Sequence, residues 1–166
     1  MQRIMIIGCP GAGKSTLSRA LAEKLGLPLV HLDRLYWREG WQGASREEFD
    51  SLLAAEVEKP QWIIDGNYSR TIPMRLEKAD TVLYLDFGRV RCTLGVLKRV
   101  ITTHGKVRPD MGDGCPERFD AEFMKYVWDF NKTQRMDLYE HIKDCSAEVI
   151  ILKSRKEVEK FLERAI

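Results

Sequence analysis

Several features that mark specialised classes of protein are missing from this sequence. Twelve glycines and six prolines in 166 residues are too few for a collagen-like or low-complexity chain. The longest run without a charged residue, residues 4–13, has ten positions, about half of the ~20 that a membrane-spanning helix needs. The N-terminal apolar stretch, residues 4–7, is too short for a secretory signal peptide. We therefore expect a soluble, cytoplasmic protein with no membrane partner.

The chain also lacks an excess of either charge and any paired cysteine motif. Its 27 basic and 25 acidic residues leave a net charge of +2, which gives no support for a nucleic-acid coat protein or a membrane-surface protein. The four cysteines, at positions 9, 92, 115 and 145, form no C-x-x-C pair. Their spacing predicts neither a zinc cluster nor a disulfide framework.

Short apolar runs alternate with segments of helical periodicity along the whole chain. Strands are predicted at residues 3–7, 29–32, 61–65, 81–86 and 147–152, and helices at residues 15–25, 45–59, 69–78, 89–101 and 119–142 and at the C-terminus. Ser45 with Glu48 forms a capping box for the second helix. This alternation predicts an α/β fold, a five-stranded parallel sheet with helices on both faces. We expect a single domain, residues 1–166, with insertions at about residues 33–60 and 102–118.

Ligands of such a sheet bind at the carboxyl ends of the strands. The residues that follow predicted strand ends there are 8–16, Asp33, Asp65 and Asp86. Asp86 is interpreted either as an acid of the metal site or as a cap for the helix that follows it.

The turn after the first predicted strand carries the most specific motif. Residues 8–15 read G-C-P-G-A-G-K-S and match G-x-x-x-x-G-K-[ST]. Backbone N–H groups and the N-terminus of the next helix surround phosphate oxygens in this motif. Lys14 is expected to reach the β- and γ-phosphates of ATP, and the Ser15 hydroxyl to bind Mg²⁺. The predicted nucleotide-binding residues are Gly8, Cys9, Pro10, Gly11, Ala12, Gly13, Lys14, Ser15 and Thr16. The alternative is a glycine-rich turn with a structural role only.

Residues 62–71, W-I-I-D-G-N-Y-S-R-T, resemble the D-G-x-P-R-T segment of adenylate kinases, with one additional residue before the arginine. With the phosphate-binding motif, they indicate the adenylate-kinase-related group of P-loop kinases. H-L-D at residues 31–33, R-P-D-M at 108–111 and G-C-P-E-R-F at 114–119 resemble the bacterial DNA topology modulation protein family within that group. This resemblance implies a P-loop NTPase fold of nucleoside monophosphate kinase type, with an acceptor-side insertion at 33–60 and a lid at 102–118.

The same resemblance implies roles for further residues. Asp65 would lie beside the Mg²⁺ and act mainly through its water shell, and Arg70 would hold the acceptor or the transferring phosphate. Arg99 falls where adenylate kinases have a phosphate-binding arginine, whereas Gly95 occupies the place of another. Arg118 resembles a lid arginine. The second lid arginine is replaced by Asp129, so its role is vacant or passes to Arg135. The predicted lid offers only Cys115 and His104 as zinc ligands and is therefore expected to be metal-free.

Chemical arguments add further expectations. Residues 88–108 contain six basic residues and no acidic one, which is interpreted as a phosphate clamp that includes Arg99 or as a solvated face. Asp33 is interpreted as the residue that orients or deprotonates an acceptor hydroxyl, or as a helix cap or loop ion pair. Tyr36, Trp37 and Trp41 would stack on the acceptor or pack the insertion against the core. Asn67 and Tyr68 would bind the acceptor or shape their turn.

The predicted function is an ATP-dependent phosphotransferase that acts on a small molecule, with a nucleotide or nucleoside as the favoured acceptor class. Its catalytic residues would be Lys14, Arg99, Asp33, Arg70 and Arg118, its metal ligands Ser15 and Asp65, and its cofactors ATP and Mg²⁺. The alternatives are a regulatory or DNA-associated ATP-binding protein with weak NTPase activity and a nonspecific NTPase. The sequence leaves the acceptor and the oligomeric state open.

Overall fold

Five short apolar segments form the central sheet of the protein. The structure, a computed structural model, describes residues 1–165. The strands of the sheet are β1 Arg3–Gly8, β2 Leu29–His31, β5 Trp62–Asp65, β6 Thr81–Leu85 and β7 Glu148–Leu152. They lie in the order β2-β5-β1-β6-β7, and every pairing is parallel. Residues 4–7 at the centre are 0% exposed, as expected for a parallel strand that is covered on both faces. The predicted five-stranded parallel sheet is confirmed.

Eight helices connect or cover these strands. They are α1 Lys14–Leu25, α2 Leu32–Tyr36, α3 Arg46–Val57, α4 Ile72–Lys78, α5 Arg89–Thr103, α6 Ala121–Thr133, α7 Arg135–Ile142 and α8 Arg155–Arg164, with short 3₁₀ turns at Glu39–Trp41 and Ser69–Thr71. The predicted capping box is present, because the Ser45 side chain accepts a hydrogen bond from the Glu48 N–H at the start of α3. Within residues 1–165 no helix is long and apolar enough to cross a membrane.

Two segments differ from their predictions. The single helix predicted at residues 119–142 is divided at Gln134, whose φ of −112° departs from the helical range, so α6 and α7 are separate. The stretch predicted as irregular at residues 33–43 contains α2 and a two-stranded hairpin, β3 Trp37–Arg38 and β4 Gln42–Gly43. Gly40, at φ 71°, allows the tight turn between these two strands.

The segment between α5 and α6, residues 104–120, has no regular helix or strand. It is held by isolated bridges between His104 and Glu117 and between Val107 and Pro116. We call this segment the lid and residues 37–43 the hairpin. Both lie at the carboxyl end of the sheet, where the site is expected.

Candidate active site

A cavity of about 760 Å³ opens at the carboxyl ends of the strands. It is lined by the phosphate-binding loop, by the residues after β2 and β5, by the hairpin, by the lid and by α6. The predicted site residues on its wall are Pro10, Gly11, Gly13, Lys14, Ser15, Thr16, Asp33, Asp65, Arg99 and Arg118. Cys9 and Ala12 lie beneath the loop and are 1% and 7% exposed. The fold therefore brings most of the predicted residues to one cavity.

The loop between β1 and α1 has the curled backbone that the motif requires. Gly8, Gly11 and Gly13 all have positive φ, and Gly13 precedes the first turn of α1 with φ 99°. The Lys14 Nζ atom donates hydrogen bonds to the carbonyl oxygens of Gly8, at 2.8 Å, and Cys9, at 3.2 Å. The ammonium group thus lies over the loop, where it can meet phosphate oxygens.

Asn67 joins this loop to the turn after β5. Its Oδ1 accepts a hydrogen bond from the Gly8 N–H at 3.0 Å, and its Nδ2 donates to the Gly8 carbonyl at 2.8 Å. The backbone pairing of β1 with β5 ends at Ile6 and Asp65, so the Asn67 side chain continues it by one further step. Of its two interpretations, the structure shows a role for Asn67 in shaping the loop.

Asp65 and Ser15 offer oxygen atoms that suit a magnesium ion. Asp65 is 4% exposed, and its Oδ2 contacts His31 Nδ1 at 2.9 Å and the Ser18 hydroxyl at 3.5 Å. Within the described chain both contacts are made by Oδ2, which leaves Oδ1 without a hydrogen bond. Mg²⁺ prefers carboxylate and hydroxyl oxygens and keeps several waters. The two residues on the cavity wall therefore fit this ion.

Clusters of the zinc type do not occur in the part of the chain that the structure describes. Residues 1–165 include no group of three or more His, Cys, Asp or Glu side chains that could hold a metal ion. Cys115 is buried, and its Sγ contacts the Arg38 carbonyl at 3.0 Å. The thiol of the lid therefore anchors the lid to the hairpin.

Asp33 differs electrostatically from the other carboxylates of the cavity. It lies in α2, directly after β2, and its Oδ1 accepts a hydrogen bond from the Tyr68 hydroxyl at 2.7 Å. Burial raises the pKa of Asp33, the charge of Asp65 raises it further, and the hydrogen bond from Tyr68 partly opposes this. Such a carboxylate is a better proton acceptor than an exposed one.

Arg99 takes part in a network of four charged side chains at the base of the lid. The Glu117 carboxylate, 5% exposed, lies 3.0 Å from Arg99 Nε and 2.9 Å from Arg108 Nε. Arg108 also contacts Asp110 at 3.2 Å. Burial and the neighbouring Arg108 charge lower the pKa of Arg99. The two carboxylates balance the two guanidinium groups in charge, and the network fixes Arg99 and Arg108 on the cavity wall that the phosphate-binding loop also lines.

The second lid carboxylate, Asp110, is held in its ionised form. Burial acts to raise its pKa, but the Arg108 charge and the Ser15 hydroxyl outweigh burial and leave the pKa below its usual value. Asp110 and Ser15 both line the cavity.

The lid is docked on the hairpin. The Gly40 N–H donates to the Gly114 carbonyl at 3.1 Å, and Arg34 Nη1 donates to the Pro109 carbonyl at 2.9 Å. Gly112 approaches the hairpin so closely that a Cβ atom there would lie 2.1 Å from the Trp37 carbonyl oxygen. The lid and the hairpin thus close the cavity together.

Arg118 and Trp41 form the cavity wall where the lid meets the hairpin. The Arg118 guanidinium lies 5.3 Å from the centre of the Trp41 ring, a distance at which a cation is attracted to an aromatic face. Trp41 also contacts Trp37, with ring centroids 5.5 Å apart. Tyr36 packs on Trp37, Phe49 and Tyr68. Trp37 and Trp41 line the cavity, and Tyr36 packs behind Trp37 without lining it.

Three residues, Arg70, Arg135 and Asp86, lie away from the positions that the resemblance or the motif analysis predicted. Both terminal nitrogens of Arg70 bind Asp50, at 2.7 and 2.6 Å, and the Arg70 side chain is 42% exposed outside the cavity. Arg135 binds Asp86 at 2.7 Å, so Arg135 is held away from the lid. Asp86 also accepts a hydrogen bond from Tyr139 at 2.8 Å, which anchors α7 to the end of β6.

Sequence reasoning did not single out His31, Asp110 or Glu117, which all contribute to the site, and it counted Arg108 only as one of the six basic residues of the predicted clamp. His31 and Arg108 lie inside segments that carry the resemblance, but no motif assigns them a partner. The signal that could have identified Asp110 and Glu117 is their position in the sequence. Both are acidic residues that follow a run of basic residues, in a segment that contains several glycines.

Comparison with known proteins supports this description. A family model described as an AAA domain matches residues 3–86, half of the chain. The chain belongs to this AAA domain family. A shikimate kinase of Rhodococcus jostii (strain RHA1) is 28% identical over 138 residues, which are 74% of this chain and 78% of that protein. An adenylate kinase of Mycobacterium leprae (strain Br4923) is 34% identical over 86 residues, which are 48% of this chain and 42% of that enzyme.

Among solved structures, the shikimate kinase from Acinetobacter baumannii in complex with shikimate superimposes on this AAA-family chain with a TM-score of 0.62. The match covers 99% of this chain and 90% of that chain at 17% identity. At this identity it supports the fold alone. The predicted P-loop kinase fold is confirmed. The relatives found are small-molecule kinases.

Proposed function

We propose that the protein transfers the γ-phosphoryl group of ATP to a hydroxyl group of a small molecule. The observation that carries this proposal is the position of Asp33, whose pKa is raised by burial, in the same cavity as Lys14 and Ser15. A hydroxyl acceptor must lose a proton during transfer, and a carboxylate of raised pKa can take it. An acceptor phosphate is already ionised and gains nothing from such a base.

The loop residues hold the triphosphate of ATP. Free backbone N–H groups of the loop surround its oxygens, and the N-terminus of α1 adds a partial positive charge. The Lys14 ammonium, which rests on the carbonyl oxygens of the loop, contacts the β- and γ-phosphates. When bound, Mg²⁺ supplies charge neutralisation at the phosphates, with Ser15 as its ligand and Asp65 beside it.

Arg118, which forms no ion pair within residues 1–165, supplies positive charge for phosphoryl transfer, and Arg99 and Arg108 contribute guanidinium groups from the same cavity wall. The transferring group carries negative charge over its oxygens, and fixed cations in a site without bulk water stabilise that charge. The docked lid excludes water, which favours transfer to the acceptor over hydrolysis. Arg70 is not part of this set because its side chain, bound to Asp50, lies outside the cavity.

The acceptor class that we propose is a nucleoside or another hydroxylated small molecule. The R. jostii relative is named shikimate kinase, and shikimate is a hydroxylated ring compound. Trp37 and Trp41, an edge-to-face pair, line the same cavity as Asp33, and aromatic side chains suit a ring that carries hydroxyl groups.

A regulatory or DNA-associated ATP-binding protein is the second candidate. It is favoured by the resemblance of residues 108–111 and 114–119 to the DNA topology modulation family, which rests on the sequence alone. That family membership and the cytoplasmic location stay predictions. A net charge of +2 does not indicate the strongly basic surface that DNA-binding proteins have.

The test is a screen of ATP consumption with nucleosides, nucleoside monophosphates and hydroxylated metabolites, with the phosphorylated product identified by mass. We expect a phosphorylated alcohol and loss of turnover by at least ~100-fold in Lys14→Ala. Lys24→Ala is the matched control, because Lys24 lies at the other end of α1 and donates to the Leu162 carbonyl. Phosphate release without a phosphorylated product would contradict the proposal and favour a simple NTPase.

A further inference from the structure

Arg75 is a buried cation that neither the motifs nor the proposed mechanism uses. It lies in α4 and is 0% exposed. Among residues 1–165 no carboxylate lies within ion-pair distance of its guanidinium group. Burial lowers the pKa of Arg75 to about 9, and the charge of Asp65 partly offsets this effect. Burying a guanidinium group without a paired anion costs free energy. The hydrogen bonds of this group must therefore offset that cost.

The Arg75 guanidinium binds one short turn of the chain. Its Nη1 donates to the Gly66 carbonyl at 2.8 Å, and its Nη2 donates to the Asn67 carbonyl. This turn has an unusual backbone, because Gly66 has φ 140° and Tyr68 has φ 41°. A non-glycine residue at positive φ persists where its surroundings hold it. The two carbonyls that would otherwise be unpaired in the protein interior are those that Arg75 binds.

The same turn carries two side chains into the cavity in opposite directions. Asn67 binds both backbone groups of Gly8 at the start of the phosphate-binding loop. Tyr68 donates to Asp33, the proposed base. The backbone that Arg75 holds is therefore connected on one side to the ATP-binding loop and on the other side to the acceptor.

We infer that Arg75 is a positioning residue, which fixes the turn of residues 66–68 so that Asn67 shapes the phosphate-binding loop and Tyr68 orients Asp33. This inference rests on the proposed function and adds to it a link between the two halves of the cavity. The guanidinium acts from behind the turn and does not touch ATP or the acceptor.

Calorimetric binding of ATP tests the first connection without any acceptor. We expect Arg75→Met, measured in the folded protein below its melting temperature, to bind ATP at least ~10-fold more weakly than the wild type. Arg75→Lys keeps one donor and should restore part of the affinity. Lys78→Met is the matched control: Lys78 lies in the same helix and pairs with Glu58 at 3.1 Å, outside the cavity.

A double-mutant cycle separates positioning from general stability. If Arg75 acts through Asn67, Arg75→Met should weaken ATP binding by no more than ~2-fold further in an Asn67→Ala background, because the two losses are then coupled. Additive losses would overturn the inference, as would a melting temperature that falls while ATP affinity stays at the wild-type value.

The outcomes distinguish the inference from the proposed function. ATP binding and acceptor phosphorylation by the wild type, with unchanged ATP affinity in Arg75→Met, would overturn the inference alone. Absence of ATP binding by the wild type would overturn both. If Arg75→Met does not fold, ATP binding is measured in Arg75→Lys and Asn67→Ala instead. Wild-type ATP affinity in Arg75→Lys would count against the role of the two donated hydrogen bonds.

Discussion

Asp33 and Asp110 show how neighbouring carboxylates of one cavity acquire opposite properties. The pKa of Asp33 is raised by burial. Asp110 is also buried, but the Arg108 charge and the Ser15 hydroxyl lower its pKa. The pKa values of the two aspartates are thus shifted in opposite directions by their different partners.

The first prediction concerns Asp33. Asp33→Asn keeps the shape of the side chain and its contact with Tyr68 but removes the proton acceptor, so kcat for phosphoryl transfer should fall by about 10²–10⁴. Binding of ATP, measured by calorimetry, should remain within about threefold of the wild type because Asp33 does not bind the triphosphate. Asp113→Asn, at a lid side chain that is 92% exposed, is the control.

The second prediction concerns the pH dependence. The base must be ionised, so activity is present above the pKa of Asp33 and is lost as the pH falls through it. Because burial raises this pKa, the acidic limb of kcat/KM should lie above the ~3.9 of a free aspartate. Tyr68→Phe removes a hydrogen bond that lowers the pKa, so the limb should move to still higher pH. A limb that moves to lower pH would contradict the assignment of Asp33.

At this scale, contacts between residues that are close together in the sequence could be predicted from their spacing. The phosphate-binding loop is contiguous, so its residues could be predicted from residues 8–16 alone. The ion pair of Arg70 was not predicted because its partner, Asp50, belongs to α3. A separation of 20 positions in the sequence does not indicate such a pair. Glu117 was missed for the same reason: its role depends on how the lid folds back on Arg99 of α5.

At the scale of elements, the contact of α5 with the phosphate-binding loop explains a departure from the adenylate kinase pattern. A Cβ atom on Gly95 would lie 2.2 Å from the Gly11 carbonyl oxygen. An arginine, which adenylate kinases have at this place, has no room here. The helix and the loop pack backbone against backbone.

The third prediction follows from this contact. Gly95→Ala should displace the loop, weaken ATP binding at least ~10-fold and cost about 1–3 kcal/mol of unfolding free energy, as overpacking does. Leu94→Ala, at the next residue of α5, removes a side chain that is 56% exposed and should leave ATP binding unchanged. Calorimetry and denaturant unfolding measure the two effects.

The fourth prediction concerns the contact of the lid with the hairpin. In Gly112→Ala, the new Cβ would meet the Trp37 carbonyl at 2.1 Å, so the lid should stand away from the hairpin and admit water. We expect the ratio of ATP hydrolysis to acceptor phosphorylation to rise at least ~5-fold. Gly88→Ala places its Cβ in open space and should keep the wild-type ratio. An unchanged ratio in Gly112→Ala would show that this contact does not exclude water.

The elements themselves were predicted better than the way in which they dock. Alternating apolar runs and helical periodicity gave the five strands and their parallel pairing, because burial on both faces leaves a continuous apolar run in the sequence. The division between α6 and α7 escaped prediction, since Gln134 is neither glycine nor proline. The hairpin escaped because each of its strands has only two residues, too few for an alternating pattern.

At the scale of the whole molecule, the residues that line the cavity come from three distant parts of the sequence. Loop residues follow β1, the turn of residues 66–68 follows β5, and the lid follows α5. A ligand that contacts all three should therefore stabilise the domain as a unit and not one segment alone.

The fifth prediction is a global shift in stability. At an ATP concentration about 100 times its Kd, with Mg²⁺ present, binding should add about 2.7 kcal/mol and raise the melting temperature by roughly 5–10 °C. Lys14→Ala should show little of this shift, whereas Lys24→Ala should show all of it. Thermal unfolding followed by circular dichroism is the measurement, and an equal shift in both variants would place ATP elsewhere.

The edge-to-face pair of Trp37 and Trp41, which the lid covers, has an optical consequence. Of the four tryptophans in the chain, Trp62 is fully buried in the core and Trp128 is exposed on α6, so neither senses the lid. The emission of the hairpin pair depends on whether a guanidinium or water lies against the Trp41 ring. The protein thus carries an intrinsic fluorophore at the junction of the lid and the hairpin, and a separation of the two would change its emission without any label.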